Sequence, residues 1–234
     1  MRAYLAPAMQ RQYWDALLKF FFGRALPLGV FGYIVAIQGQ LAVDGIAKGI
    51  AGLLDTDGQL HVLNRMLTLA FFTFLLGLYM LRGPAVAKDH RLVAVAPAMI
   101  GSFILFCLPL VPGGPPTSTA AVLAASDILL TIGIVIALYS LSYLRKRFSI
   151  VPEARGLVQT GPYAIVRHPV YLGEILSGLG LVLPRIFSLQ LVVFLVFLAA
   201  QVVRMRYEER VLGQTYPQYR SYARRTARLI PFVY

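Results

Sequence analysis

One cysteine, Cys107, stands in a chain of 234 residues. A single thiol excludes an intramolecular disulfide and any thiolate metal cluster. Set inside an apolar run, Cys107 reads as a small buried hydrophobe. Acidic residues are scarce too, ten Asp and Glu against 22 Lys and Arg. Charged residues of both signs make up 14% of the chain, where a soluble domain carries about 25%. The short apolar and polar alternations and narrow helical stripes of a soluble core are also missing. No internal repeat points to an inverted-repeat transporter. The N-terminal segment lacks a short apolar core followed by a small-residue cleavage site, so the first apolar run is expected to be retained.

Long hydrophobic runs are what the chain has instead. Hydrophobic residues make up 58% of it and the mean hydropathy is +0.70. Crossing a bilayer takes about 20 mainly apolar residues, and the stretches 25–43, 62–81, 92–112 and 120–144 qualify. A fifth region, 169–203, holds two shorter apolar stretches broken at Pro184-Arg185. Two tilted helices or a hairpin that crosses in part both fit there. The expected fold is an all-α, polytopic transmembrane helix bundle with about six membrane segments, or five if that region does not cross twice. Costly charges inside the spans are Arg65, Asp127 and Glu174. Arg65 is expected to snorkel outward, Asp127 to serve in a structural hydrogen bond, and Glu174 to border an acceptor path.

The net charge of +12 could suggest nucleic acid, but the basic residues sit at the ends of the apolar runs. Membrane lipids are then the expected partner, with no nucleic acid. Residues 1–24 carry four basic residues against one acidic, and 44–61 one against three. The loop 82–91 has three basic residues against one, and 113–119 has no charge. The interval 145–168 has five against one, and the tail 204–234 seven against two. This alternation predicts a multi-pass protein with both termini and the active site on the cytoplasmic side. The chain divides accordingly into N-terminal transmembrane helices, 1–144, and a C-terminal catalytic region, 145–234, which holds 13 of the 22 basic residues.

That region opens with RGLVQTGPYAIVRHPVYLGE from Arg155. Gly156, Gly161 and Pro162 predict a turn-rich loop. His168-Pro169 predicts the start of a helix, because proline suits the first helical turn and disfavours helix in the residue before it. Arg167 and His168 then lie at a helix N-terminus, which attracts a carboxylate or similar anion; simple anchoring at the headgroup level is the other reading. Further on, Arg204 and Glu208 fall four residues apart, on one face of the last membrane helix if that helix continues past Val203. Glu209 is about 100° around the helix from Glu208. Tyr219, Tyr222, Arg224, Arg225 and Arg228 read most simply as interfacial anchors.

GPYAIVRHPVYLG, then Arg204-x-x-x-Glu208-Glu209, Tyr219-x-x-Tyr222-x-x-Arg225 and RLIPF together resemble the isoprenylcysteine carboxyl methyltransferase and phospholipid methyltransferase superfamily. The resemblance covers about 145–234. One departure is Arg225-Thr226-Ala227, where members commonly have Arg-Val-Pro, a change to a structural turn. The resemblance implies S-adenosylmethionine as cofactor, S-adenosylhomocysteine as product, and transfer to a lipophilic or lipidated acceptor. It places Arg155, Gly156, Leu157, Val158, Tyr163, His168, Pro169, Tyr171 and Glu209 around the cofactor. It makes Arg204 and Glu208 the catalytic pair beside the acceptor. The chemistry suits these residue types. Methyl transfer from a sulfonium is an in-line displacement that calls for no metal, only alignment and exclusion of water. Arg204 can fork onto an acceptor carboxylate, and Glu208 can serve an acceptor amine. The acceptor stays open between an isoprenylcysteine-type carboxylate, a phospholipid amine and a small thiol. A lipid reductase-like enzyme, which would need a nicotinamide cofactor, is the other enzymatic reading; a transporter fits least.

Overall fold

A computed structural model describes residues 13–231 apart from 15, 16, 18, 19, 54, 55, 90 and 116–118, with the side chains of 56 and 57 also undescribed. The sequence charges at Arg2, Arg11, Asp15, Lys19 and Asp55 lie outside the described residues. Among the described residues there are seven α-helices. A π-helical turn, Phe21–Ala25, leads into α1 (Leu26–Ile50), which is followed by α2 (Thr56–Leu81). Next come α3 (Leu92–Phe103), extended by a 3-10 segment (Ile104–Leu110), and α4 (Ala120–Leu144). The C-terminal region adds α5 (Pro169–Val182), α6 (Leu189–Thr215) and α7 (Tyr219–Arg225). Two short strands, β1 (Ala87–Lys88) and β2 (Glu153–Ala154), pair antiparallel.

Five of these segments are long and apolar enough to cross a bilayer: Phe21–Ile50, Gly58–Leu81, Leu92–Leu110, Ala120–Arg147 and Leu189–Thr215. The chain is an integral membrane protein with an all-α transmembrane bundle. The region 169–203 resolves unequally. With 14 residues, α5 is about 21 Å long, short of the roughly 30 Å hydrocarbon layer. The 27 residues of α6 make about 40 Å, so its charged final turns reach past that layer. The first helix is also longer than its apolar run. Asp44 and Lys48, expected in a loop, lie on α1, because helix continues beyond the bilayer as long as no breaker intervenes.

Many large apolar side chains face outward; Leu110 is 83% exposed and Phe187 95%. Such a surface suits hydrocarbon and would be a liability in water. Cys107 belongs to it. It is exposed and not buried as its apolar setting suggested, since in a membrane bundle an apolar setting is found on the outside as well.

Inside, the closest packing is between α4 and α5. A Cβ on Gly173 would lie 2.7 Å from the Ala137 backbone nitrogen, and one on Gly180 would lie 2.8 Å from the Leu130 nitrogen. Small residues thus let two helix backbones touch, the usual device of membrane helix pairs. Asp127 accepts from Asn64 Nδ2 at 2.8 Å, and Thr131 donates to Asn64 Oδ1 at 2.7 Å. This joins α4 to α2 by the structural hydrogen bonding expected of Asp127. Arg65 points outward, as expected.

The basic loops gather at one end of the bundle. Tyr79 Oη donates to the Gly23 carbonyl at 2.9 Å, and Arg82 donates to the same oxygen. The β1–β2 ladder ties 82–91 to 145–168. The tail returns to the same place: the amides of Arg167 and His168 donate to the carbonyls of Ala227 and Arg228 at 2.9 and 3.0 Å.

Candidate active site

The loop 145–168 begins with exposed Arg145, Lys146 and Arg147 and passes through the buried stretch 150–154. Gly156, at φ +137°, and Gly161, at φ +61°, occupy backbone conformations that suit glycine. Gly161 opens the 3-10 turn Gly161–Ala164. His168 then stands as the residue before Pro169 at the first position of α5, where the sequence predicted the helix to begin.

The anion at this helix start is the chain's own Glu209. Its Oε1 accepts from Arg167 Nε at 2.9 Å and Arg228 Nε at 3.0 Å, and lies 3.1 Å from His168 Nε2. Its Oε2 accepts from Arg228 Nη2 at 2.8 Å. The expected carboxylate site is real, and α6 fills it. Arg167 also donates to the carbonyls of Ala223 and Thr226. The departure at Thr226-Ala227 is tolerated because backbone oxygens carry these contacts.

Behind this cluster lies a cavity with about 770 Å³ of space, open solvent at its mouth included. Of the residues expected at a site, Gly156, Leu157, Val158, Tyr163, His168, Tyr171, Arg204 and Glu208 line it. Arg155, Pro169 and Glu209 do not. Arg155 turns away to Glu153 and the Gly83 carbonyl, Pro169 starts the helix, and Glu209 is held by the basic cluster.

Two of the lining groups meet directly. Tyr171 Oη donates to Glu208 Oε2 at 2.6 Å. The Arg204 guanidinium lies 4.7 Å from the centre of the Tyr171 ring. Arg204 does not pair with Glu208 across the helix turn. Its Nη1 is 3.6 Å from Glu174 and 3.4 Å from Gln201 Oε1, and its Nε donates to the Ile150 carbonyl at 3.2 Å. Gln201 Nε2 donates to Glu174 at 2.6 Å, so Glu174 anchors Arg204 from below the cavity. An isolated cation at this depth would be costly, and this set of partners is what holds it there.

Sequence reasoning missed the roof. Tyr219 and Tyr222 are not interfacial anchors: both are buried and line the cavity. Tyr222 Oη donates to the Tyr163 carbonyl at 2.8 Å. The Tyr-x-x-Tyr spacing on a short helix was the available signal, since residues three apart share a face. Burial pushes the Tyr222 hydroxyl up to about 12, against the opposing charge of Arg167. Burial, assisted by nearby Glu208, raises Tyr163 well above its ordinary value. Tyr163 and Tyr219 therefore stay neutral donors at neutral pH, and neither hydroxyl has a hydrogen-bond partner among the described residues. Ser149 and Glu153 also line the cavity. Burial would raise Glu153, but the Ser149 hydroxyl and the Arg155 charge outweigh it and hold the carboxyl below its usual range.

The comparison with protein families falls on this same part of the chain, since residues 119–219 match the family described as phospholipid methyltransferase. The matched stretch is less than half of the chain and is similar to that family. It contains α4, α5, α6 and the loop that carries the cavity, and so covers every residue expected at the site. The chain is also similar to two curated proteins. One is the cobalt-zinc-cadmium resistance protein CzcN of Cupriavidus metallidurans, 36% identical over 76 residues, which are 32% of this chain and 35% of that protein. The other is the nickel-cobalt-cadmium resistance protein NccN of Alcaligenes xylosoxydans xylosoxydans, 29% identical over 114 residues, which are 48% of this chain and 51% of that protein. The chain thus spans between about a third and a half of the curated relatives it matches.

Proposed function

We propose that the chain is an integral membrane methyltransferase that uses S-adenosylmethionine and methylates a lipophilic acceptor delivered by the bilayer. The observation that carries this reading is the convergence of Glu208, Tyr171, Arg204 and two unpartnered tyrosine hydroxyls on one cavity within the family-matched region. The lining suits the cofactor. A cationic sulfonium calls for a carboxylate and aromatic faces, which Glu208, Tyr171 and Tyr163 provide. An amino-acid head and a ribose call for hydrogen-bond partners, which Tyr163 and Tyr219 have to spare. A Cβ on Gly156 would come within 2.8 Å of the Arg147 side chain, so the bare backbone there leaves room along the loop.

S-adenosylmethionine, when bound, supplies an electrophilic methyl on a sulfonium, and its sulfur keeps the bonding electron pair on transfer. The remaining work falls to the chain. Phe148, Val158 and the two roof tyrosines keep water out of the cavity, which strengthens the charge contacts within it. Arg204, fixed by Glu174, Gln201 and Ile150, orients an anionic acceptor such as an isoprenylcysteine-type carboxylate. For a phospholipid amine, Glu208 takes the proton or positions the nitrogen. Arg155, Pro169 and Glu209 act through neighbours: Arg155 fixes the loop, Pro169 the helix start, and Glu209 the placement of His168. The residues 145–234 form the catalytic region, carried by the helices of 1–144. Both termini and the cavity face the cytosol, a reading supported by the basic loops collected at one end.

The heavy-metal resistance names of the two relatives favour a second reading of the acceptor, a compact thiol-type molecule. Incubating membranes with a radiolabelled methyl donor and a total lipid extract separates the two. Label in the organic phase supports a lipid acceptor; label confined to water-soluble thiols supports the compact one. Label in neither fraction above a Glu208→Gln control refutes the activity.

A further inference from the structure

The cations around Glu153 exceed what that carboxylate needs. Arg24, Arg82, Lys88 and Arg155 line a second pocket, with the backbone of Gly83, Pro84 and Ala85. Glu153 is nearly fully buried and already well supplied. It accepts from the Ser149 hydroxyl at 2.7 Å and from Arg155 at 2.9 and 2.6 Å, and has Lys88 Nζ at 3.3 Å and Arg82 Nη1 at 4.0 Å. One carboxylate against four cations leaves three positive charges in excess around the pocket.

Arg82 shows where the excess is felt. Its side chain is 9% exposed, its Nη2 donates to the Gly23 carbonyl, and its Cζ lies 4.1 Å from the centre of the Tyr79 ring. Its Nη1 is buried with no hydrogen bond among the described residues. A buried donor on a charged group calls for an acceptor. Arg24 is exposed and forms no ion pair among the described residues. Guanidinium forks with a lysine match the oxygens of a phosphate group.

The surroundings fix the level in the membrane. The pocket lies where α2 ends and the basic loops begin, beside the exposed apolar side chains of Phe21, Phe22, Leu81 and Val86. That is the depth at which a lipid presents its phosphate. We propose that this pocket binds a phosphate group, either on a lipid headgroup or free, at a site separate from the methyl-transfer cavity. Glu153 lines that cavity and pairs with Lys88 and Arg155 of this pocket, so it links the two sites. The proposal does not depend on the methyltransferase reading.

The full chain, purified in non-ionic detergent, is titrated with acyl-labelled phosphatidylglycerol and, separately, with inorganic phosphate. Saturable lipid binding displaced by millimolar phosphate supports the lipid as source; saturable phosphate binding without lipid binding supports free phosphate. The double variant Arg24→Gln/Lys88→Gln weakens whichever binding is seen by about tenfold or more, and circular dichroism checks that these exposed changes leave the fold intact. The double variant Arg224→Gln/Arg225→Gln removes the same charge from the exposed face of α7 and leaves binding unchanged. Absence of saturable binding to either probe overturns the proposal. So does an equal loss in both double variants, which would mean general surface charge.

Discussion

At the scale of single residues, the two adjacent glutamates of α6 have opposite occupations. Glu209 is consumed by Arg167, His168 and Arg228, while Glu208 faces the cavity on a single tyrosine hydroxyl. Glu209→Gln should therefore act on folding, lowering stability by roughly 3 kcal/mol by leaving partly buried cations uncompensated, and shift the thermal midpoint in detergent. Glu208→Gln should leave that midpoint in place and weaken S-adenosylhomocysteine binding by about ten- to a hundredfold, as for a hydrogen bond to a charged group. The reverse assignment of effects would show that the two roles are exchanged. The sequence alone made both carboxylates candidates, because spacing gives the angle around a helix and not which side chain meets an internal partner. It could not reveal that Arg204 looks to Glu174 and not to Glu208, since the partners sit 30 positions apart and on different helices. Tyr219 and Tyr222 were legible only in part: their spacing gives a shared helix face, but nothing local says whether a tail helix lies on lipid or folds back over a cavity.

At the scale of elements, α5 is the piece that positions the site. It is too short to span the bilayer, and its place depends on the small-residue contact with α4, Gly173 on Ala137 and Gly180 on Leu130. Gly173→Leu should force the helices apart at a cost of about 1–3 kcal/mol or more, and shift His168 and Tyr171 with them. Loss of cofactor-analogue binding together with a lower unfolding midpoint is expected; an unchanged midpoint would contradict the packing account. The strap formed by β1 and β2 makes a pH prediction. Glu153 has its pKa held below the ordinary carboxylate value, so its contribution to stability is present above about pH 4 and is lost as pH falls through the lower folded value. The acid limb of stability should shrink in Glu153→Gln, measured by thermal unfolding between pH 3 and pH 6 (approximately this range, by the same linkage). The helix starting at Pro169 and the turns at Gly156 and Gly161 were legible, being local chemistry. The strap was not: two-residue strands carry no period to read.

At the scale of the whole molecule, hydropathy and loop charge foretold a membrane bundle and its grouping of basic loops at one end. The count of segments was blurred at 169–203 because the first half is a short helix and the second continues into charged turns. Orientation has a direct test. In a Cys107→Ser background, Ser221→Cys on the exposed face of α7 should react with a membrane-impermeant maleimide in inverted vesicles and not in intact cells. Labelling of intact cells would invert the topology. The proposed role of the cavity between the loop 145–168, α5, α6 and α7 is to receive S-adenosylmethionine. Isothermal titration of the detergent-purified chain with S-adenosylhomocysteine tests this most directly. The expected result is saturable one-to-one binding that Glu208→Gln weakens; heat no different from dilution up to roughly millimolar ligand, the weak end of specific binding, in a protein with an intact unfolding transition would contradict it.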